Sequence, residues 1–264
     1  MSDPLDVDWD HGKAGKDQPK TPSTWTPPPR EPAALPPSTP SWIRWVGIGL
    51  LVALVLLVGR CTVSHMHRPT WLSLATDTDG PDLQKARKVF VLLHGYGGSR
   101  NTEAWLIDDL RKRSGMSDVA FVVVDGPFAS AGGRSWGDSP EEYAESEERV
   151  HAFIRETIKR DPKDVVVAGF SQGAMIAFRL AARGDVAKTA VLLSGCDYSA
   201  TGHDGSVRYL FIHGEQDSIC SFAPAKAIAD GMARRGLDAE MIAFQGDHQV
   251  LDVTLLEIAR LLGP

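Results

Sequence analysis

Several features that the sequence lacks limit the functions that the protein can have. Basic residues are not in excess, because 28 lysines and arginines stand against 34 acidic residues, and the formal net charge is −6. A nucleic-acid-binding surface depends on such an excess, so nucleic acid is not expected as a partner. The chain also has no Gly-x-x-x-x-Gly-Lys-Ser/Thr run, which argues against a phosphate-binding loop for nucleotides. No internal repeat is apparent, and a hydrophobic content of 43% suits a globular core.

Aliphatic residues are almost missing from the first 41 residues, which hold ten of the 17 prolines. Such a segment cannot bury enough apolar surface to offset the entropy lost on ordering. Residues 1–41 are therefore predicted to be a disordered, partly polyproline II tail. We interpret the tail as a spacer; the alternative is a binding motif for an unknown partner.

Charge is absent from the fifteen residues between Arg44 and Arg60, and nearly all of them are apolar. At 1.5 Å per residue they span about 22 Å of a hydrocarbon core about 30 Å thick. Trp42 and Ile43 lengthen the segment, and the flanking arginines can extend their charges to the interface. The sequence therefore predicts a single-pass transmembrane anchor at residues 42–60.

Two other interpretations of the apolar segment are less favourable. A cleaved signal peptide would not follow more than forty residues, and no small-residue cleavage site is present. A buried core helix would not adjoin a Pro-rich tail. We therefore divide the rest of the chain into a juxtamembrane linker at residues 61–85 and a globular domain at residues 86–264.

Only three cysteines are present. Cys196 and Cys220 each follow a predicted strand, so both fall at the same end of the sheet, where a disulfide is geometrically feasible. Two free thiols fit the sequence equally well. Cys61 is a poor match to a lipidated cysteine, because Arg60 precedes it.

The lysines and arginines on the two sides of the anchor are balanced, so the positive-inside rule does not determine the orientation of the anchor. The option of a disulfide favours an extracytoplasmic globular domain.

The apolar pattern of the globular domain alternates between strands and helices. Short apolar runs predict six strands, at residues 88–93, 120–124, 165–168, 189–193, 207–212 and 239–244. Helical patterns lie between them, at residues 101–113, 140–160, 172–183, 223–235 and 249–262, with Asn101 and Ser139 capping the first two. This order predicts an α/β fold, a mostly parallel sheet with helices on both faces and no large lid. Ligands of such sheets bind at the carboxyl ends of the strands.

A serine lies at one of these strand ends, in Gly169-Phe-Ser-Gln-Gly173. The pattern of strand, sharp turn and helix is typical of a nucleophile elbow. There the glycines avoid clashes with the neighbouring strand and helix, and the hydroxyl of Ser171 is exposed. Taken alone, a Gly-x-Ser-x-Gly run is also compatible with a plain glycine-rich turn. The surrounding residues decide between the two.

A serine hydroxyl becomes nucleophilic when a base takes its proton and an acid orients that base. In the chain order nucleophile, acid, histidine, the candidates are Ser171, Asp217 and His248, each directly after a strand. Rival bases and acids preserve that order and placement less well: His203, His213, Asp197 and Asp247.

The oxyanion formed by such a nucleophile needs donors held in place. One is expected to be the backbone N–H of Gln172, directly after the serine. The other is expected from His94-Gly-Tyr-Gly-Gly98, after the first predicted strand, and Tyr96 is the candidate. His94 is interpreted as a structural hydrogen-bonding residue beneath this loop.

Together these motifs resemble the phospholipase/carboxylesterase family of α/β-hydrolases, which includes acyl-protein thioesterases. The resemblance covers about residues 88–262 and rests on five elements: His94-Gly-Tyr-Gly-Gly98, Gly169-Phe-Ser-Gln-Gly173, Leu193-Ser-Gly195, His213-Gly-x-x-Asp217 and a late histidine. It implies that Ser171, Asp217 and His248 form the triad and that Tyr96 and Gln172 donate to the oxyanion. Gly133-Arg-Ser-Trp136 is similar to the family's tryptophan loop, which implies substrate binding by Trp136; plain surface exposure is the alternative.

Two motifs depart from that family. One residue separates glycine from histidine in Gly246-Asp-His248, where the family usually has two. The residues after the acid, Ser218-Ile-Cys-Ser221, are less apolar than usual. These departures concern the local geometry and the substrate pocket.

The sequence thus predicts a membrane-anchored serine hydrolase that cleaves carboxylic esters or thioesters through an acyl-enzyme. Its substrate would be a small-molecule, lipid or other acyl ester, and no metal or organic cofactor is implied. The alternatives are a serine peptidase of the same fold and a catalytically inactive, membrane-tethered binding module.

Overall fold

The computed structural model describes residues 74–113, 115–200 and 202–263. The predicted tail at residues 1–41, the anchor at residues 42–60 and the first part of the predicted linker lie outside these residues. Within the described ranges, no helix has both the length and the apolar character needed to cross a membrane.

The described part of the chain alternates strands and helices. Its strands are β1 (Thr76–Asp79), β2 (Lys88–Leu93), β3 (Val119–Val124), β4 (Phe128–Ser130), β5 (Gly133–Ser135), β6 (Val165–Phe170), β7 (Thr189–Leu193), β8 (Arg208–Gly214) and β9 (Asp238–Phe244). Its α-helices are α1 (Ala104–Arg111), α2 (Pro140–Phe153), α3 (Gln172–Arg183), α4 (Phe222–Arg234) and α5 (Asp252–Leu262).

Seven strands form one sheet in the order β1-β3-β2-β6-β7-β8-β9, and β4 and β5 form a separate hairpin. Six of the seven are parallel, and β1 pairs antiparallel with β3 at the edge. The six parallel strands are those predicted from the sequence. Their apolar runs are buried because helices cover both faces: α2, α3 and α4 pack on one, α1 and α5 on the other.

Two helices begin later than predicted. Helix α1 begins at Ala104, not Asn101. The hydroxyl of Thr102 accepts a hydrogen bond from the Ser99 N–H at 2.8 Å and closes a turn before the helix. The last helix begins at Asp252, because residues 246–250 form the loop that carries His248. The cap at Ser139 is confirmed, since its hydroxyl accepts a hydrogen bond from the Glu142 N–H at 3.2 Å.

Strand β1 and the hairpin β4–β5 had no clear signal in the sequence. β1 consists of the polar residues Thr76-Asp-Thr-Asp79 and joins the sheet through its backbone, in register with Val124 to Phe121. It therefore adds to the sheet part of the segment for which a linker was predicted. Because β1 runs antiparallel, the chain enters the domain at the carboxyl end of the parallel strands.

Candidate active site

Ser171 lies in a backbone conformation that only a strained turn imposes. Its φ is 53° and its ψ is −117°, outside the regions that serine ordinarily adopts. A Cβ at Gly169 would lie 2.2 Å from the Gly173 carbonyl, and a Cβ at Gly173 would lie 2.3 Å from the Leu93 oxygen. Helix α3 can therefore approach β6 this closely only with glycine at position 169, and β2 only with glycine at position 173, which is the geometry of a nucleophile elbow.

Asp217 and His248 meet at the same end of the sheet. The Asp217 Oδ2 atom is 2.8 Å from the His248 Nδ1 atom. The other carboxylate oxygen, Oδ1, accepts hydrogen bonds from the N–H groups of Ile219 at 2.9 Å and Cys220 at 2.7 Å. Burial alone would raise the pKa of Asp217, but the hydrogen bonds from His248 and the two amides outweigh it and lower the pKa. Asp217 therefore stays ionised and orients the imidazole.

An ionised carboxylate can only accept, so the Nδ1 atom of His248 carries the proton that faces Asp217. The Nε2 atom of the neutral ring is then free to act as a base. The ring also packs against Phe170, with ring centroids 4.8 Å apart, and Phe170 directly precedes Ser171. Among the described residues the Ser171 hydroxyl makes no hydrogen bond; the bond between nucleophile and base often forms only when substrate is present.

The rival residues make other contacts, although the Nε2 atom of His213 also lies 3.3 Å from the Asp217 Oδ2 atom. His213 is fully buried, and its Nε2 atom donates to the Cys220 carbonyl at 2.6 Å. His203 packs against the rings of Phe178 and Tyr209. The remaining two carboxylates engage serines: Asp197 accepts from Ser199, and Asp247 accepts from Ser218.

The glycine-rich loop after β2 lies against the nucleophile. A Cβ at Gly95 would lie 3.5 Å from the Ser171 Cβ. The N–H of the next residue, Tyr96, has no acceptor within the described chain, and its side chain is exposed. Gln172 begins α3, so its N–H has no carbonyl in the preceding turn to bond with. Both predicted oxyanion donors are thus unpaired N–H groups next to the serine.

His94 lies beneath this loop, as predicted. The ring is fully buried, and its Nε2 atom accepts a hydrogen bond from the Gly126 N–H at 2.9 Å. The Nδ1 atom must therefore carry the proton, which it donates to the Gly95 carbonyl at 2.7 Å. Burial lowers the pKa of His94, so the ring remains neutral and keeps both hydrogen bonds.

Trp136 is fully buried, so the alternative of plain surface exposure is wrong. Its indole N–H donates to the His94 carbonyl at 2.8 Å, and its backbone N–H donates to the Gln172 Oε1 atom at 2.8 Å. The Gln172 Nε2 atom donates in turn to the Gly137 carbonyl at 2.6 Å. The direct substrate contact predicted for Trp136 stays a prediction; in this structure the side chain supports the loop that carries Tyr96.

Sequence reasoning missed the role of the Gln172 side chain. The sequence predicts a role only for the backbone N–H of that residue, and nothing in the local motif indicates a bond to Trp136, 36 residues earlier. The same hairpin pairs with the glycine-rich loop: the Arg134 carbonyl accepts from Gly97 at 2.9 Å, and the Arg134 N–H donates to Gly98 at 2.8 Å. One hairpin thus contacts the surroundings of both candidate oxyanion donors.

Cys196 and Cys220 form a disulfide, with their Cα atoms 4.5 Å apart. Of the two alternatives left by the sequence, the structure therefore contains the disulfide. It ties the loop after β7 to the loop that carries Asp217. The described residues contain no group of three or more histidines, cysteines or acids that could hold a metal ion.

The fold and this arrangement of serine, histidine and aspartate define an α/β-hydrolase. The family model described as "Serine hydrolase (FSH1)" matches residues 84–250, which is more than half of the chain, and the chain belongs to that family. A comparison with curated proteins found no match.

Solved structures share the fold. Esterase PE8 is 23% identical with a TM-score of 0.60, and the match covers 72% of this chain and 97% of the esterase. SOBER1 from Arabidopsis thaliana is 22% identical with a TM-score of 0.59, over 67% of this chain and 98% of SOBER1. A Bacillus cereus carboxylesterase is 19% identical with a TM-score of 0.60, and the match covers 72% of this chain and 93% of the carboxylesterase. At these identities the likeness establishes the fold.

Proposed function

We propose that this serine hydrolase cleaves carboxylic esters or thioesters through an acyl-enzyme formed on Ser171. The observation that carries the proposal is the hydrogen bond between Asp217 and His248 beside a strained serine elbow. A buried, ionised acid that orients an imidazole is what a hydroxyl nucleophile requires. The names of similar structures, esterase and carboxylesterase, favour the same chemistry.

In the first half of the reaction, the Ser171 Oγ atom attacks the acyl carbonyl carbon while its proton passes to His248 Nε2. The carbonyl oxygen becomes an oxyanion, which the N–H groups of Tyr96 and Gln172 stabilise. The bond to the leaving group then breaks. The imidazolium gives its proton to the departing alcohol or thiol, and the acyl group stays on Ser171.

In the second half, water attacks the acyl carbon and His248 takes a proton from it. A second oxyanion forms in the same place. Its collapse breaks the bond to Ser171 and releases the carboxylic acid, while the serine recovers its proton from the imidazolium. Asp217 remains ionised throughout and stabilises the positively charged ring.

The membrane anchor at residues 42–60 is part of the proposal, with the hydrolase domain outside the cytoplasm. Its support is the uncharged, apolar segment and the disulfide, which persists in oxidising compartments.

Thiol alkylation of the non-reduced full chain is expected to label one cysteine, Cys61. After reduction, alkylation is expected to label all three cysteines. The full chain is expected to stay with membranes after alkaline washing, whereas Leu54→Arg combined with Leu57→Arg should weaken that retention.

The test of the proposed reaction is labelling of the full chain with a fluorophosphonate. Mass spectrometry is expected to find the adduct on Ser171. Ser171→Ala should lose both labelling and ester hydrolysis, and the control Ser206→Ala should keep both. Absence of an adduct on folded protein would overturn the proposal in favour of an inactive binding module. Faster cleavage of peptides than of matched esters would favour a peptidase.

A further inference from the structure

A cavity of about 330 Å³ lies at the carboxyl edge of the sheet, next to the loop that carries Tyr96. Three arginines line it, Arg100, Arg134 and Arg149, and the one acidic residue on its wall is Asp125. These residues come from separate elements: the loop after β2, the β4–β5 hairpin, helix α2 and the end of β3. The chain therefore brings three distant cations to one recess.

Arg134 is the most firmly held of the three. Its Nε atom donates to the Gly126 carbonyl at 2.8 Å, and its Nη2 atom donates to the Pro127 carbonyl at 2.6 Å. Within the described residues no carboxylate pairs with this guanidinium. Two carbonyl dipoles fix the orientation of the guanidinium without neutralising its charge. Some of its N–H groups therefore remain available to donate to an anion.

Each of the other two arginines has one carboxylate partner. Arg100 lies 3.5 Å from the Asp125 carboxylate and Arg149 pairs with Glu145. The side chains of Arg100 and Arg149 are 36% and 23% exposed. A positive charge partly removed from water attracts an anion more strongly than one that is fully solvated. The walls therefore carry a net positive charge in a concave, polar space.

The cavity is connected to the proposed active site through the backbone. Arg134 pairs with Gly97 and Gly98, which directly follow Tyr96. The backbone of Arg134 thus holds the loop that supplies one candidate oxyanion donor.

We propose that this cavity binds an anionic oxygen group, a carboxylate or a phosphate, carried by the ester substrate. Arginine pairs with both groups through two parallel hydrogen bonds, which gives direction as well as charge. The proposal rests on the proposed function, because it assigns a substrate class to that hydrolase. It predicts that the enzyme prefers esters with a negative charge at one end to neutral esters of the same length.

The experiment compares p-nitrophenyl half-esters of dicarboxylic acids with neutral p-nitrophenyl esters of matched length, using the full chain. The wild type is expected to prefer the charged series, with the greatest preference at one chain length. In Arg149→Gln, kcat/KM for the charged ester divided by that for the neutral ester is expected to fall about tenfold, the effect of one charged hydrogen bond. Raised salt should reduce the preference as well.

The matched control is Arg208→Gln. Arg208 begins β8, which lies on the other side of the sheet beside the edge strand β9, and it also pairs with a glutamate, Glu240. The Arg208→Gln variant should leave the ratio of kcat/KM for the charged ester to kcat/KM for the neutral ester at its wild-type value. An Arg149→Gln ratio equal to that of the wild type would overturn the inference.

A second measurement does not depend on turnover. Inorganic phosphate is expected to raise the Tm of wild type and of Ser171→Ala, and to raise that of Arg149→Gln less. Stabilisation by phosphate without a preference for charged esters would mean that the cavity takes free anions, which overturns the assignment to the substrate. If no ester of either series is cleaved, the proposed function fails, and the phosphate measurement still decides whether the cavity binds anions.

Discussion

The side chain of Gln172 and the backbone of Trp136 are joined by a hydrogen bond of 2.8 Å. The amide of Gln172 also donates to the Gly137 carbonyl, so one residue next to the nucleophile holds the hairpin that supports the loop of Tyr96. Its own N–H is a candidate oxyanion donor. The Gln172 side chain therefore fixes the positions of the two candidate donors, the N–H groups of Tyr96 and Gln172, relative to each other, and it need not contact the substrate to do so.

Gln172→Met should lower kcat by about tenfold or more with little change in KM. The variant keeps the N–H and roughly the volume, but loses all three side-chain hydrogen bonds, to Trp136, Gly137 and the Tyr143 hydroxyl, and small displacements of oxyanion donors are costly. The kcat of Gln172→Glu should lie between those of the wild type and Gln172→Met, because the glutamate carboxylate can still accept from the Trp136 N–H but cannot donate to the Gly137 carbonyl. Steady-state kinetics on a neutral ester and circular dichroism of each variant provide the check. Equal kcat values in all three proteins would contradict this role.

The parallel sheet and the chain order of the site were predictable because they depend on short-range patterns. Apolar runs mark strands that are buried on both faces, and the glycines around Ser171 mark an unusual turn. Strand β1 was not predictable, because Thr76-Asp-Thr-Asp79 joins the sheet through its backbone alone. The bond between Gln172 and Trp136 was not predictable either, since it links residues whose proximity arises only when β2, β6 and the hairpin are packed together.

Asp217→Asn should reduce kcat by about 10⁴-fold, as loss of the acid does in other serine hydrolases. An asparagine amide can donate to Nδ1 of His248, which favours the tautomer that has no lone pair free to accept the serine proton. KM should change far less than kcat. Asp247→Asn is the control: the exposed Asp247 carboxylate accepts a hydrogen bond from the backbone N–H of His248 at 2.8 Å, which an asparagine oxygen can still accept. Equal losses in the two variants would contradict the assignment of Asp217 as the acid.

The lowered pKa of Asp217 also predicts a dependence of stability on pH. Its unfolded pKa is about 3.9, and its folded pKa is lower because His248 and two amides bind the carboxylate. The stabilisation is present above the unfolded pKa and is lost as the pH falls through the folded pKa. The Tm difference between wild type and Asp217→Asn should therefore be constant near neutral pH and shrink below about pH 4. A difference that stays constant down to pH 2 would show that this carboxylate is not selectively stabilised.

Removal of the disulfide should destabilise the domain and disturb the acid. The bond joins residues 24 apart, and a loop of this size contributes about 3 kcal/mol to the free energy of unfolding. Cys220 also supplies an N–H to Asp217, so Cys196→Ser combined with Cys220→Ser should lower kcat as well as Tm. Wild type treated with a dithiol reductant should show the same two changes. A double variant with unchanged Tm would mean that the two loops are held in place without the bond.

Two glycine substitutions of the same kind should have opposite effects on stability. Gly169→Ala places a Cβ 2.2 Å from the Gly173 backbone, where nothing can move without separating β6 from α3, so it should destabilise by about 4 kcal/mol or more. Gly231 lies inside α4, and its nearest neighbour to an added Cβ is a flexible arginine atom at 3.7 Å. Gly231→Ala should therefore stabilise by about 0.5–1 kcal/mol, because alanine loses less backbone entropy in a helix. Chemical denaturation of both variants measures the pair. If Gly169→Ala were as stable as the wild type, the close contact between strand and helix at the elbow would not exist, and the strain at Ser171 would need another cause.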